Sequence, residues 1–284
     1  MGKKRTERIV FENVQILDAG AKGVSVAKAP DGKVIFIPNV VPGDVADIQT
    51  MKKRKAFYEG KAIKIHEFSE HRTEPVCEHF GVCGGCKWQN MKYSQQLHYK
   101  HNEVYNNLKR IGKIEMPEFE PILGSEKQFF YRNKMEFGFS DTRWLNETEI
   151  QSEDQSLSKN PALGFHIPRM WDKILDIEKC WLQEDPSNAI RNSIKEFAVK
   201  NGMTFFNARN HEGLLRTLMI RTASTGEIMV LVQFFENNKA QRELLLDYVY
   251  EQFPNITSLQ YVINSKANDT LYDQDIKLYK GRDY

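Results

Sequence analysis

Cysteine is scarce, four residues in 284, and the usual glycine and histidine signatures of catalysis are missing altogether. No glycine-rich GxGxxG follows a candidate strand, and there is no Walker loop, HExxH or GxSxG. No catalytic residue is therefore assigned. No stretch approaches the ~18 apolar residues that a bilayer span needs. The start, MGKKRTERIV, is charged but has neither an apolar core nor a small-residue cleavage site, so a cytoplasmic protein without membrane association is expected. The seven histidines are scattered. His71, His79, His98 and His101 flank the cysteines at spacings that match no metal motif, so surface or packing roles are expected of them.

What cysteine there is, is concentrated. Cys77, Cys83 and Cys86 lie within CEHFGVCGGC, and Cys180 follows far along the chain. A cytoplasmic chain keeps its thiols reduced, so this grouping points to metal before disulfides. Three ligands from one tight loop and a distant fourth suit the corners of an iron–sulfur cubane, while structural zinc more often takes two close pairs. Spacing alone leaves both open. The first gap is five residues, not the three of a CxxxCxxC radical enzyme, and a fourth cysteine is at hand. Gly84 and Gly85 allow the backbone to fold closely around whatever is held.

Net charge is only +2, but it is unevenly spread. Residues 1–64 carry 13 Lys and Arg against 7 Asp and Glu, and the remainder is acidic. An anionic partner for the N-terminal part follows. That part alternates: RIVFENVQIL, GVSVAKA, KVIFIP, DVADIQTMK and FYEGKAIKI read as five short strands between glycine turns. Five such strands in about 60 residues suit a small closed barrel of the OB type, a fold that binds single-stranded nucleic acid with basic grooves and aromatic platforms. Lys52, Lys53, Arg54 and Lys55, followed by Phe57, supply both ingredients.

Beyond the cysteine loop, Leu97, Val104, Leu108 and Ile111 recur at helical spacing, with Gly112 as a stop. QFFYRNKMEFGFS reads as a strand with Arg132, Lys134 and Glu136 on one face. ALGFHIP and KILDI are further strands, and NETEIQSEDQSLSKNP between them is a polar surface loop. A helix is expected after Asp185-Pro186, then a hairpin of LLRTLMIRT and EIMVLVQFF, a helix in KAQRELLLDYVYEQF and a strand in SLQYVIN. The pattern is an α+β domain with antiparallel strands on one side and helices on the other.

PVCEHFGVCGGCKWQNMKYSQQLHYK resembles the iron–sulfur signature of the RumA/TrmA-like RNA uracil-5-methyltransferases, in the RumA-like branch that carries a cluster. AKGVSVAKAPDGKVIFIPNVVPGD looks like their TRAM barrel, and FFYRNKMEF, LGFH, ILDIEKC, LLRTLMIR and VINSKAND follow in the order of their central domain. The resemblance covers essentially the whole chain. It implies a [4Fe–4S] cluster on Cys77, Cys83, Cys86 and Cys180, and an RNA partner, ribosomal RNA first and transfer RNA second. It further implies methyl transfer from S-adenosylmethionine to C5 of a uridine, after a thiolate adds to C6.

On this reading the chain is α+β and multidomain. Residues 1–66 form an OB-like TRAM RNA-binding barrel and 67–92 the iron–sulfur loop. Residues 93–120 form a helix expected to pack on a methyltransferase domain, and 121–284 a central α+β domain with the fourth ligand. RNA contacts are expected from Lys52, Lys53, Arg54, Lys55 and Phe57 on the barrel and from Arg132 and Lys134 on the central strand. Because the sequence stops at KLYKGRDY, the Rossmann-like methyltransferase domain is expected to be absent. The chain would then be the N-terminal part of a 23S ribosomal RNA methyltransferase, inactive alone, its C-terminal domain missing. The competing readings are a stand-alone RNA-binding adaptor with a structural zinc or cluster, and an iron–sulfur electron carrier.

Overall fold

The computed structural model describes residues 8–152, 156–157 and 160–283. It divides into two compact units, one of residues 1–81 and 86–128, the other of residues 82–85 and 129–284. The basic start of the chain, residues 1–7, lies outside the described residues.

The first unit is built on β1 (Val10–Gly20), β2 (Val24–Lys28), β3 (Val34–Ile37), β4 (Val45–Lys53) and β5 (Phe57–Glu67), which close into a barrel in the order β1-β2-β3-β5-β4. Only β3 and β5 run parallel. Period-2 alternation puts Ile16, Ala27, Ile35, Ile37, Ala46 and Ile48 inside, all nearly inaccessible to solvent. The interior is tight enough to dictate Gly60, where a β-carbon would come 2.6 Å from Ile48 Cγ2. Asp44, at the turn into β4, is fully buried. It accepts from the Val41 and Ser69 amides at 2.7 and 2.9 Å and from the Arg72 guanidinium.

After the cysteine loop, α1 (Tyr93–Asn106) runs into a wide turn at Asn107–Ile111, and neither buries a residue fully. Of the expected apolar stripe, Leu97 and Leu108 are half-buried, while Val104 is 49% and Ile111 79% exposed. The irregular segment that follows folds back on the helix. Phe119 meets His101 and Tyr105 edge-on or tilted, and the Tyr93 hydroxyl accepts from the Ser125 amide at 2.7 Å.

The second unit holds β6 (Lys134–Ser140), α2 (Glu147–Gln151), β7 (Ala162–His166), β8 (Ile174–Asp176), α3 (Ser187–Lys200), β9 (Leu215–Thr222), β10 (Ile228–Phe234), α4 (Lys239–Gln252), β11 (Ser258–Ile263) and β12 (Lys277–Gly281). Seven strands make one sheet in the order β12-β11-β10-β9-β6-β7-β8. All its pairings are antiparallel except β10 with β11, which α4 connects as a crossover. Phe137, Leu218, Ile220, Val230, Val232 and Phe234 are fully buried, on the face covered by α3 and α4. Those helices lock together by a Phe197–Tyr248 stack at 3.8 Å. Asn238 caps α4 by accepting from the Gln241 amide, satisfying one of the free donors of its first turn. Among the described residues of this unit, no helix packs on the opposite face of the sheet.

The segments from Asn146 and from Gln128 depart from the sequence pattern. The polar segment from Asn146 contains α2, capped by Asn146 accepting from the Glu149 amide at 2.8 Å; residues 153–155 and 158–159 lie outside the described residues. The strand expected from Gln128 begins only at Lys134, because the Phe130 and Arg132 amides donate to Trp181 and Leu182.

Candidate functional site

The β4–β5 hairpin brings Lys52, Lys53, Arg54 and Lys55 to one tip, all exposed. Arg54 amide donates to Phe57 carbonyl at 2.9 Å and closes the turn. A register shift between Thr50 and Lys52 bends the strand just before it, as bulges do. Arg54 lies 4.0 Å from Glu59, a contact too exposed to neutralise it. Phe57 is half-buried and braced edge-on against Phe36, ring centres 5.4 Å apart. It stiffens the base of the tip and presents only part of its ring. Beside it, Tyr58 points into the barrel and donates to Asp31 at 2.9 Å, a bond that holds the Asp31 carboxyl below its ordinary range.

Arg132 and Lys134 are in the second unit, and both are exposed. Arg132 precedes β6; Lys134 opens it and is bound to Glu136 at 2.9 Å.

All four cysteines are unbridged; Cys77, Cys83 and Cys86 are half-buried and Cys180 is buried. Burial pushes the Cys77 thiol up, Cys86 adds to the effect, and the His79 and Phe80 amides that face the sulfur work against it. Cys77 amide donates to the Gln89 side chain at 3.2 Å, and the Gly85 amide donates to Cys83 Sγ at 3.4 Å. Gly84 admits no side chain, since a β-carbon there would sit 2.8 Å from the His166 carbonyl oxygen. Residues 82–85 belong to the second unit while Cys77 and Cys86 belong to the first.

Cys180 is held by a buried polar network. Asn188 accepts from the Cys180 amide at 2.8 Å and donates to its carbonyl at 3.2 Å; Arg191 donates to Asn188 and to the Glu178 carbonyl. Arg191 is wholly buried over the Phe137 ring, and desolvation lowers its guanidinium to about 10. Sequence reading passed over Arg191, whose signal is a charged residue amid the apolar helical positions Ile190, Ile194 and Ala198.

Among the described residues no group of three or more His, Cys, Asp or Glu side chains is gathered to hold a metal ion. None of their helices is long and apolar enough to cross a membrane. His101 packs on Phe119 and His98 lies 2.9 Å from Asn102, while the buried Nε2 of His79 has no hydrogen-bond partner there.

The fold has a counterpart among solved structures. A Pyrococcus abyssi tRNA (uracil-54, C5)-methyltransferase, solved with S-adenosyl-L-homocysteine, superposes with a TM-score of 0.62 at 22% identity, over 95% of this chain and 55% of that one. Closer in sequence is an uncharacterized RNA methyltransferase of Bacteroides thetaiotaomicron, 51% identical over 93% of this chain. One of Porphyromonas gingivalis is 48% identical over 95% of it. The homologues of this chain are RNA methyltransferases. It spans 58% and 59% of the length of these two relatives. No protein-family model matches the sequence.

These matches correct the expectation of an inactive N-terminal part that lacks its Rossmann-like methyltransferase domain. RNA methyltransferases align with 93–95% of the chain, so neither the lack of that domain nor the lack of activity stands. That expectation rested on an unmatched glycine motif and on where the sequence stops, and neither is a statement about chemistry.

Proposed function

We propose that the whole protein is an S-adenosylmethionine-dependent RNA methyltransferase that modifies C5 of uracil, acting in the cytoplasm on ribosomal RNA first and transfer RNA second. The observation that carries this is 51% identity over 267 residues with an RNA methyltransferase. S-adenosylmethionine supplies the methyl group; no residue of this chain is assigned to it. The residues at hand grip and position RNA. Lys52, Lys53, Arg54 and Lys55 neutralise phosphates from one hairpin tip, the contact that dominates affinity without reading sequence. Phe57 backs that tip, and Arg132 and Lys134 add cations on the second unit. The division into modules at 1–66, 67–92, 93–120 and 121–284 belongs to the same reading.

Cys77, Cys83, Cys86 and Cys180 are proposed to hold a [4Fe–4S] cluster. What supports this is the chemistry of the donors, four unbridged thiols with Cys86 near enough to Cys77 to raise its thiol and an amide bonded to the Cys83 sulfur, although the described residues do not gather them into one group. Hydrogen bonds to sulfur and burial are the protein's levers on such a cluster. When bound it cross-links the loop to Cys180, a closure worth roughly 4–5 kcal/mol if it behaves as a disulfide of that loop length does.

Deleting the gene and digesting the cell's ribosomal and transfer RNA to nucleosides tests the activity by mass spectrometry. Loss of 5-methyluridine from one RNA class, restored by the gene, supports the reading. An unchanged nucleoside profile refutes it.

A further inference from the structure

The helix-free face of the seven-stranded sheet has a feature that the grip on phosphates does not use. Three cross-strand rows line it: Thr217 beside Gln233, Glu136 beside Met219 and Leu231, and Lys134 beside Arg221 and Met229. Over the first two rows lies a cleft of about 400 Å³, adjoining one of about 480 Å³ with which it shares Met219, Leu231 and Leu271. Gln233 lines the smaller cleft; it is 3% exposed, and its Nε2 has no hydrogen-bond partner among the described residues. A buried donor left unmade is costly, and such an exception calls for a reason.

At the cleft's rim stands Tyr272, fully exposed. Its loop is braced. Asn264 donates to the Thr270 carbonyl at 3.2 Å, Lys266 donates to Thr270 Oγ1 at 3.2 Å and pairs with Asp273, and Arg216 donates to the Asn264 and Lys266 carbonyls at 2.8 and 2.7 Å. An aromatic ring thus stands free on a held loop, above an apolar floor of Met219 and Leu231. The cleft is not basic: its lining sets the carboxylates of Glu136 and Asp269 against Lys134. It is unsuited to phosphate and suited to the flat, neutral part of a nucleotide.

We infer that this cleft takes an unpaired RNA base, with Gln233 Nε2 donating to an acceptor on the base edge and the Tyr272 ring lying against its face. The inference rests on the RNA reading above and adds a base-reading pocket to a phosphate-gripping hairpin. Stacking gives affinity for any base, and the amide selects bases that turn an acceptor inward.

The test uses the chain as it stands, a fluorescent eight-uridine RNA, and an abasic ribose-phosphate chain of equal length. The wild type is expected to prefer the uridine octamer by about tenfold or more. Gln233→Leu and Tyr272→Ala should each remove most of that preference and leave the salt dependence of binding unchanged. Gln233→Leu should melt no lower than the wild type, since it deletes an unsatisfied donor at similar volume, and this separates loss of binding from loss of fold. Adding the octamer should also shift the Gln233 side-chain amide signal in the 15N spectrum, assigned by its loss in Gln233→Leu. Equal binding of both chains by the wild type, or uridine binding untouched by both substitutions, overturns the inference while the RNA reading survives. Binding of neither chain overturns both.

Discussion

Arg72 holds the fully buried carboxylate of Asp44 by two parallel hydrogen bonds, Nε to Oδ1 at 2.7 Å and Nη2 to Oδ2 at 2.6 Å. This fork is the strong form of the Arg–carboxylate contact. It fastens the chain that leads to the cysteines onto the turn between β3 and β4. Arg72→Met would leave the carboxylate buried and unpaired, and should cost about 3–5 kcal/mol in urea unfolding. The double substitution Asp44→Asn, Arg72→Met should recover part of it. A loss below 1 kcal/mol would show that the carboxylate's amide donors suffice alone.

Neutralising Lys52, Lys53 and Lys55 together should weaken RNA binding and flatten the slope of log K against log salt by about 2, at roughly 0.7 per phosphate contact on a single strand. Titration at several salt concentrations reads this directly. Phe57→Ala should act mainly on stability, since the ring is braced on Phe36.

Purified without oxygen, the chain should carry about four irons and four acid-labile sulfides. Cys83→Ser and Cys180→Ser should each lower the iron content sharply. One zinc with no sulfide would refute the cluster and favour the structural-zinc alternative.

Asp47 gives a pH signature. The Asn13 amide at 2.9 Å and His66 hold its carboxyl below the ordinary 3.8. Its contribution is fully present above that unfolded value and is lost as pH falls through the lower folded one. The melting-temperature gap between wild type and Asp47→Asn should be open at pH 5 and close in stronger acid. A gap that persists unchanged at pH 2 would refute this assignment.

Among the barrel strands, Val24–Lys28, Val34–Ile37 and most of Val45–Lys53 were legible because they alternate cleanly, while β1 and β5 alternate only in part. The second unit's hairpin and its α3 and α4 helices were legible from apolar runs bounded by Pro186, Asn238 and the turn at Gly226. Lys277–Gly281 was missed, since it is a largely exposed edge strand with no apolar face to show. The stripe from Leu97 to Ile111 has helical spacing, yet the regular helix ends at Asn106, where the ladder widens. At the candidate site, the hairpin tip was readable as a run of like charge. The cleft was not. Gln233 sits in IMVLVQF, where six of seven residues are buried and the run reads as plain core. Its partners come from β6, β9 and a loop near Tyr272, an assembly that only the sheet order creates.

The closure of β1 onto β4 has a consequence in time. Every strand pairing of the barrel lies between Val10 and Glu67, so no later strand is needed to close it. At about 5–20 residues per second of synthesis, the ribosome reaches the edge strand Lys277–Gly281 roughly 10–40 s after it has made Glu67. The nascent chain can therefore expose a finished, positively charged barrel while the large sheet is still without its last strand. During that interval the growing protein is already equipped to meet polyanions, and the first to hand is the ribosome's own RNA.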